Sequence, residues 1–341
     1  MTDGTLLGLA DLIRTRRVSP VEVTQACLDR IERLDPRLRA FITVDAAGAL
    51  ATAKARESEL ATGQVRGPLH GMPLAYKDLC FIRGLPTSCG TATAEYFLAE
   101  HDATAVTRLS AAGALTLGKL NMTELALGPF GDNAHHGDVQ NPWRLGHAAG
   151  GSSSGSGAAV AGNLVPGALG TDTGGSIRLP AACCGIAGLK PTYGRVSRAG
   201  VMPLSWSLDH VGPMARTVGD VALLLSVIVG RDPRDATTSH RTVADYLAGL
   251  DRPIAGLRIG MPENYYWDGL DPEVEGAARE AIRVLGGLGA RVIPLAVPNP
   301  QIAVDVSNVI ARGESAAIHA RIVRDQPHAL QPAVRARLEV G

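Results

Sequence analysis

The chain has 341 residues, of which 45% are hydrophobic and 19% charged. This composition is typical of a soluble globular protein and excludes extended disorder. The 33 basic residues balance the 33 acidic ones, so no net charge attracts nucleic acid or an acidic membrane surface, and we expect direct binding to neither. A small neutral ligand fits this balance better.

The cysteines and the N-terminus indicate the compartment. Five cysteines, an odd number without paired spacing, argue against a disulfide framework and a zinc site. The N-terminus has no basic segment before its first apolar stretch, and no apolar run approaches the length of a membrane span. We therefore expect a cytoplasmic protein.

The first clear helix signal lies near the N-terminus. Ser19 supplies an N-cap hydroxyl, Pro20 occupies the first helical position, and Glu22 completes a capping box. The helix should run from Ser19 to about Leu34, with Pro36 beyond its end.

Hydrophobic periodicity and turn residues predict the remaining elements in chain order. They are helices at 47–61, 106–112, 158–161, 218–229 and 271–285, and strands at 71–79, 114–117, 164–169, 257–261 and 290–295. This alternation predicts the α/β class, as a single domain over residues 1–341 with a central mixed β-sheet covered by helices on both faces. The end of the chain reads as a helical, polar segment.

Residues 146–200 differ from the rest of the chain because small residues and proline dominate them. A flexible linker is one interpretation, since residues 150–157 contain only glycine and serine. The continuation argues against it, because Ile177, Ile186 and Leu189 supply core residues. The serine-rich loop is therefore interpreted as part of one folded unit.

The chain contains only four lysines, Lys54, Lys77, Lys119 and Lys190. Lys77 lies in the apolar run 72–79, where desolvation would disfavour the ammonium form and prepare an amine that accepts a proton. The alternative, which local sequence favours, is a lysine that pairs with Asp78 or extends to solvent. Lys54 and Lys119 are interpreted as surface or helix-end charges.

Ser176 follows Gly174 and Gly175 directly. Glycines permit tight turns whose successive N–H groups point to one spot, which suits an oxyanion developing on an attacked carbonyl. The segment from Thr173 to Ser176 could form such an oxyanion hole. An ordinary turn is the alternative, and a phosphate-binding loop is weaker because no Gly-Lys-Ser/Thr follows.

A second serine pattern lies at residues 151–155, which match G-x-S-x-G. This pattern would make Ser153 a nucleophile, with Asp209 and His210 downstream as its partners. Such an elbow should follow a buried strand, and residues 141–147 do not form one. We keep this arrangement as a minor alternative.

Adjacent histidines, His135 and His136, raise the question of a metal site. No HExxH spacing or acid-rich partner segment accompanies them. They are interpreted as loop or pocket residues, and no metal is expected.

Taken together, these segments resemble the amidase signature family. The matching runs are residues 150–153, 170–178, 188–195 and 207–213, within a signature core at about 70–230. Lys77 precedes Ser152 by 75 residues, and Ser152 precedes Ser176 by 24, as in the family pattern.

The resemblance implies specific roles for these residues. Lys77 would be the base, Ser152 a bridging serine preceded by a cis peptide after Gly151, and Ser176 the nucleophile. The oxyanion hole would comprise the N–H groups of Thr173, Gly174, Gly175 and Ser176. Supporting residues would be Gly151, Ser153, Asp172 and Arg178. The predicted substrate pocket comprises Phe130, Asp132, His135 and His136.

The implied reaction is amide hydrolysis through an acyl-enzyme, with neither metal nor organic cofactor required. Lys77 would take a proton from Ser152 as Ser152 takes one from Ser176, and Ser152 would then return a proton to the departing amine. Ser154 and His210 depart from the commonest family pattern, which often has glycine and glutamine there. The family domain also usually continues past residue 341, so the chain is expected to lack a C-terminal part.

The resemblance leaves three functions open. The favoured interpretation is a free-standing amidase, monomeric or homodimeric, that acts on a small-molecule amide, because the loop that carries Phe130, Asp132, His135 and His136 looks unlike that of the usual amidotransferase subunit. The second is the A subunit of glutamyl-tRNA(Gln) amidotransferase, which liberates ammonia from glutamine and requires partner subunits. The third is a catalytically silent binding protein of the same fold.

Overall fold

A computed structural model describes residues 4–92 and 97–341. The chain divides into two compact units, one formed by residues up to 247 together with 310–341, and the other by residues 248–309. The predicted catalytic residues all fall in the first unit.

The helices, in chain order, are α1 (Leu6–Arg14), α2 (Pro20–Leu38), α3 (Ala46–Ala61), α4 (Thr104–Ala111), α5 (Ser154–Ala161), α6 (Arg178–Cys184), α7 (Val218–Ile228), α8 (Pro272–Gly287), α9 (Pro300–Asp325) and α10 (Pro332–Glu339). The strands are β1 (Phe41–Val44), β2 (Pro73–Lys77), β3 (Pro86–Thr87), β4 (Phe97–Leu98), β5 (Leu115–Leu120), β6 (Gly167–Asp172), β7 (Ala187–Gly188), β8 (His210–Ala215), β9 (Arg258–Pro262) and β10 (Arg291–Leu295). Short 3-10 helices cover Glu124–Ala126 and Pro327–Ala329.

A six-stranded mixed sheet in the order β1-β5-β2-β6-β8-β7 organises the first unit. β2 runs parallel to both of its neighbours, β5 and β6, whereas the β1–β5, β6–β8 and β7–β8 pairs are antiparallel. The carboxyl ends of β5, β2 and β6 therefore meet at one edge, where open α/β sheets bind their ligands. This architecture confirms the predicted α/β class and mixed sheet.

Different helices cover the two faces of the sheet. Leu74 and Tyr76 pack into a hydrophobic cluster with α1, α4 and α7, whereas Ala75, between them in sequence, packs with α2, α3 and α5. Successive strand residues point to opposite faces, so β2 contributes to two cores. Because β2 is a central strand buried on both faces, its sequence is continuously apolar.

Helix α2 begins as predicted but ends later. Ser19 and Glu22 form the capping box, whereas Pro36 lies inside the helix rather than beyond its end. The helix ends at Arg39, whose left-handed φ of 54° and N–H bond to the Asp35 carbonyl oxygen at 2.7 Å close the last turn. Leu38 is buried, so packing keeps this turn helical beyond the proline.

Strand β6 starts three residues later than the predicted strand at 164–169. Pro166 lacks an N–H and cannot donate to a central ladder, so pairing begins after it at Gly167. The strand also ends later than predicted, so that Thr171 and Asp172 are its last residues and lie at the edge of the sheet where β2 ends. The sequence analysis did not predict α1, although Thr5 caps it by accepting the Gly8 N–H at 3.0 Å. It also did not predict α6 or the strands β1, β3, β4, β7 and β8, whose segments are short.

The second unit contains a β-α-β element, as predicted. β9 and β10 pair in parallel, with α8 between them in sequence. The Asp271 side chain caps α8 by accepting the Glu273 N–H at 2.8 Å. Local sequence signals therefore located this element correctly.

Candidate active site

Lys77 is the last residue of β2 and its side chain is fully buried. Its Nζ donates to Ser152 Oγ at 2.7 Å and to Thr171 Oγ1 at 2.9 Å. Pairing with Asp78, the alternative from the sequence, does not occur, because Asp78 lies on the opposite face of the strand and contacts Lys119. Solvent exposure is equally excluded.

The environment of Lys77 favours its neutral form. Burial lowers the pKa of the Lys77 ammonium to about 7, although Cys80, Asp209 and Asp172 act in the opposite direction. An amine with a pKa near neutrality exists substantially as the free base at physiological pH and can accept a proton. The two hydroxyls that it contacts supply no charge to stabilise the ammonium.

Ser152 follows a cis peptide bond after Gly151. Its side chain is fully buried. A Cβ at Gly151 would lie 2.7 Å from both the Gly128 carbonyl oxygen and Thr123 Oγ1, so only glycine fits there. The tight packing of this loop sets the position of the Ser152 hydroxyl.

Ser153 links the serine-rich loop to β6. Its Oγ donates to the Thr171 carbonyl oxygen at 3.1 Å and accepts the Thr171 N–H at 3.2 Å. Its own N–H donates to the Ser176 carbonyl oxygen at 3.2 Å. The Ser153 hydroxyl is thus engaged with backbone, and His210 does not contact it, so the geometry does not support the Ser153 nucleophile.

Asp172 organises the turn that carries Ser176. Its fully buried carboxylate accepts the N–H groups of Gly175 at 2.8 Å and Ile177 at 3.1 Å, and Arg178 Nη2 donates to it at 2.9 Å. Burial acts to raise the pKa of Asp172, but the Arg178 and backbone hydrogen bonds hold it below its usual value. The ionised carboxylate therefore braces the turn.

Ser176 is half-buried and lies two residues before the start of α6. Its carbonyl oxygen accepts a hydrogen bond from the N–H of Ser153, the residue after Ser152. Within residues 4–92 and 97–341 the Ser176 hydroxyl has no hydrogen-bond partner. Gly175, with a φ of 131°, turns the chain just before it. The structure thus ties the backbone of Ser176 to the residue that follows Ser152 and, among the described residues, leaves the Ser176 hydroxyl unengaged.

Asp209, just before β8, and His210, the first residue of β8, support the same turn. Thr173 Oγ1 donates to Asp209, whose other oxygen accepts the Leu204 N–H at 2.8 Å. Burial raises the pKa of Asp209 and lowers that of His210. The His210 ring lies 2.7 Å from the Leu208 carbonyl oxygen, so both residues are occupied in holding loops.

The predicted pocket residues occupy the loop at 128–137, which packs on the serine-rich loop. A Cβ at Gly131 would lie 2.9 Å from Ser154 Cβ. Phe130 and Asp132 are exposed. The two histidines have separate partners: His135 Nε2 lies 2.7 Å from Glu124 Oε1, and His136 Nε2 lies 3.2 Å from the Thr91 carbonyl oxygen.

Sequence reasoning missed two residues that support this loop. Glu124 is fully buried and its second oxygen accepts the Gln331 N–H at 2.8 Å. Asn133 is also buried and donates to the carbonyl oxygens of Gly90 at 2.9 Å and Met122 at 2.8 Å. Their roles depend on burial, which the local sequence does not show, because polar and glycine residues surround Asn133.

A cavity of about 240 Å³ adjoins the site at Thr171, the second partner of Lys77. Its lining is largely apolar and comes mostly from the loop at 198–206, with residues in or next to β2, β6 and β8 and the charged side chains of Arg198, Arg234 and Asp235. The lining residues include Leu79, Thr171, Met202, Leu204, Trp206 and Asp209.

Metal-ligating side chains do not cluster in the described part of the chain. Residues 4–92 and 97–341 contain no group of three or more His, Cys, Asp or Glu side chains arranged to hold a metal ion. In the same ranges, no helix is long and apolar enough to cross a membrane.

The mixed sheet with a buried lysine at the end of its central strand, hydrogen-bonded to a serine of a glycine-rich loop, defines an α/β protein with a buried lysine–serine pair. Residues 22–337 match the family described as Amidase, and the chain belongs to that family.

Known proteins are similar to this chain in sequence and fold. The chain is 52% identical over 315 residues to the glutamyl-tRNA(Gln) amidotransferase A subunit of Chromohalobacter salexigens, covering 92% of this chain and 65% of that protein. It superimposes on the X-ray structure of peptide amidase from Stenotrophomonas maltophilia with a TM-score of 0.87 and 36% identity, covering 99% of this chain and 76% of that one. It also matches, with a TM-score of 0.94 and 37% identity, a structure solved in work on a vestigial protein complex and the origins of an s-triazine catabolic enzyme, covering 99% of this chain and 73% of that one. The chain spans about 65% of the length of the curated relatives it matches.

Proposed function

We propose that Lys77, Ser152 and Ser176 form a proton relay that hydrolyses an amide through an acyl-enzyme on Ser176. The observation that carries this proposal is the 2.7 Å contact between Lys77 Nζ and Ser152 Oγ in a fully buried setting. A buried amine with a pKa of about 7 suits a general base at neutral pH.

The reaction begins with two coupled proton transfers. Neutral Lys77 takes the proton of Ser152 while Ser152 takes that of Ser176, whose oxygen attacks the amide carbonyl. The tetrahedral intermediate collapses when Ser152 donates a proton to the departing nitrogen, because an amine anion is a poor leaving group. Water then attacks the acyl-enzyme by the same relay, and the free acid leaves.

Backbone N–H groups of the turn before Ser176 would stabilise the oxyanion. The Gly175 N–H already donates to Asp172 at 2.8 Å, so the proposal relies on the N–H groups of Thr173, Gly174 and Ser176. Asp172 and Arg178 hold the turn in place. Phe130 and Asp132, which are exposed, are the proposed substrate contacts in the 128–137 loop, and His135 and His136 support that loop.

The proposed substrate is glutamine, with the chain acting as the A-subunit type of a glutamyl-tRNA(Gln) amidotransferase. The 52% identity to a protein of that name supports this assignment over the 36% identity to a peptide amidase. In this role the chain supplies ammonia to partner subunits. A free-standing amidase acting on a small-molecule amide is the second candidate, supported by the fold shared with the peptide amidase.

Ammonia release separates these two candidates. Glutamine, primary amides and anilides are offered to the chain alone and to the chain mixed with the other amidotransferase subunits. Glutaminase activity that appears only in the mixture supports the amidotransferase role, whereas turnover of another amide by the chain alone supports the free-standing enzyme.

Labelling with a fluorophosphonate probe tests the catalytic chemistry itself. Mass mapping should find the adduct on Ser176, and Ser176→Ala should remove it. Ser110→Ala, at an exposed serine of α4, is the matched control and should label normally. A folded chain that takes no label on Ser176 would instead indicate a catalytically silent binding protein.

A further inference from the structure

A second lysine lies buried in the sheet beside Lys77. Lys119 is on β5, opposite Tyr76 of β2, and is fully excluded from solvent, contrary to its predicted surface position. Its Nζ lies 3.1 Å from Asp78 Oδ1 and also donates to the Asp78 and Pro86 carbonyl oxygens, both at 3.1 Å, and to Thr87 Oγ1 at 3.0 Å. The ammonium group is therefore fully solvated by protein oxygens.

Asp78 is equally buried, and its two oxygens differ: Oδ1 faces the Lys119 ammonium but makes no hydrogen bond, whereas Oδ2 carries the hydrogen bonds. Its Oδ2 accepts the Ser88 N–H at 2.9 Å, the Ser88 hydroxyl at 2.5 Å and the Gly90 N–H at 3.4 Å. Lys119 is the cation that balances this carboxylate. Removing one partner of such a buried pair leaves an uncompensated charge in a poorly polarisable environment.

This ion pair is adjacent to Lys77 in the chain and in the sheet, because Asp78 follows Lys77 directly and Lys119 lies opposite Tyr76, the residue before Lys77. Lys77 and Asp78 are consecutive residues, and the strand places their side chains on opposite faces. Burial raises the pKa of Cys80 to about 11, while the charges of Lys119 and Lys77 lower it and that of Asp78 raises it. One thiol therefore senses all three charges.

We propose that Lys119 is a positioning residue that holds the Asp78 carboxylate neutralised on the far face of the sheet and so leaves Lys77 without a counter-ion. The inference rests on the proposed function of Lys77 as the base. A lysine beside a free carboxylate would keep its proton, and the relay would start from an ammonium group that cannot accept one.

The other ionisable groups that act on Lys77 come from four segments. They are Cys80 after β2, Cys89 in the segment following β3, Asp172 at the end of β6 and Asp209 before β8. The Asp172 carboxylate accepts a hydrogen bond from Arg178, and the Asp209 carboxylate accepts one from Thr173. Asp78 is the remaining neighbouring carboxylate, and Lys119 is its cation.

The direct test is a titration of Lys77 by NMR of the lysine side chains. Because the chain has only four lysines, each lysine 13Cε signal of the full chain can be assigned by substituting that lysine in a separate variant. Lys119→Met should raise the pKa of Lys77 from about 7 to roughly 8 or higher, because an uncompensated carboxylate favours the ammonium form. Asp78→Asn should lower it, because Lys119 then stands alone.

The double variant Asp78→Asn/Lys119→Met removes both charges and should return the titration to that of the parent chain. Lys54→Met removes an exposed lysine and is the matched control. Fluorophosphonate labelling of Ser176 at pH 6.5 should fall about tenfold in Lys119→Met for each tenfold rise in proton affinity at Lys77. A purely structural role would slow labelling at every pH and leave the midpoint in place.

An unchanged Lys77 titration in folded Lys119→Met would overturn the inference. If that variant does not fold, Asp78→Asn decides, since a titration that stays in place or moves upward contradicts the proposal. Normal labelling of Lys77→Ala would instead defeat the proposed function and leave the NMR result standing, so the two failures are distinguishable.

Discussion

The amine of Lys77 and the hydroxyl of Ser152 lie 2.7 Å apart, and neither side chain is exposed to solvent. They reach this contact from elements far apart in sequence, one from the end of a central strand and the other from a glycine-rich loop that precedes α5. The proposed proton relay needs such a dry contact, because water around the lysine would favour its ammonium form.

The pH dependence of acylation should follow the titration of Lys77. Burial lowers its pKa to about 7, so the rate of Ser176 labelling should rise tenfold per pH unit below that value and level off above it. Lys77→Ala should reduce the plateau rate by about 10²–10⁴-fold. The measurement is the rate of probe labelling of the folded protein from about pH 5 to about pH 9. Lys54→Met is the control. A profile that is flat through pH 7 would exclude Lys77 as the base.

The same burial should lower the stability of the protein. Between pH 7 and the ordinary lysine pKa of 10.5 the unfolded chain holds a proton that the folded chain has lost, so the free energy of unfolding should rise with pH in this window. Lys77→Met, of similar volume, should be more stable than the parent at pH 7 by on the order of 1 kcal/mol or more. Denaturant titrations at pH 7 and 10 measure this gain, which should shrink at the higher pH.

Substitution at Gly151 should damage both the fold and the site. The added methyl group in Gly151→Ala would lie 2.7 Å from the Gly128 carbonyl oxygen and Thr123 Oγ1. We expect a loss of about 1–3 kcal/mol in the free energy of unfolding and loss of Ser176 labelling, because the loop must move. Gly249→Ala, where the methyl group meets no atom within 4 Å, is the control. Equal stability of the two variants would contradict the packing argument.

Loss of Arg178 should weaken the turn that carries Ser176. Its hydrogen bonds help hold the pKa of Asp172 below the usual value, so this contribution to stability is present above the usual Asp pKa and is lost as pH falls through the lower folded value. The Arg178 side chain is 55% exposed. We therefore expect Arg178→Met to cost only about 1 kcal/mol at pH 7. Thermal unfolding should show that Arg178→Met is less stable than the parent chain at pH 7 and that this difference in stability is smaller at pH 3. Labelling of Ser176 at pH 7 should also be slower in the variant.

Local signals in the sequence predicted many elements well. The capping box of Ser19 and Glu22 and the N-cap Asp271 mark helix starts because each bond lies within one turn of chain. The end of α2 was misplaced because Pro36 costs one hydrogen bond, whereas burial of Leu38 depends on the rest of the core. The start of β6 was misplaced because hydrophobicity outweighed the missing N–H of Pro166.

The lysines show most clearly what the sequence by itself determined and what only the tertiary structure decided. The sequence singled out Lys77, Ser152 and Ser176 by their motifs and spacing, and these motifs are contiguous stretches of chain. It offered Lys77 as a partner of Asp78 and placed Lys119 at the surface, whereas the structure pairs Asp78 with a buried Lys119. That pairing depends on the alternation of side chains along β2 and on the register that sets Tyr76 opposite Lys119. Register and burial arise from contacts between segments distant in sequence. Only the folded chain therefore decides that Lys77 is hydrogen-bonded to Ser152 and that Asp78 forms its ion pair with Lys119.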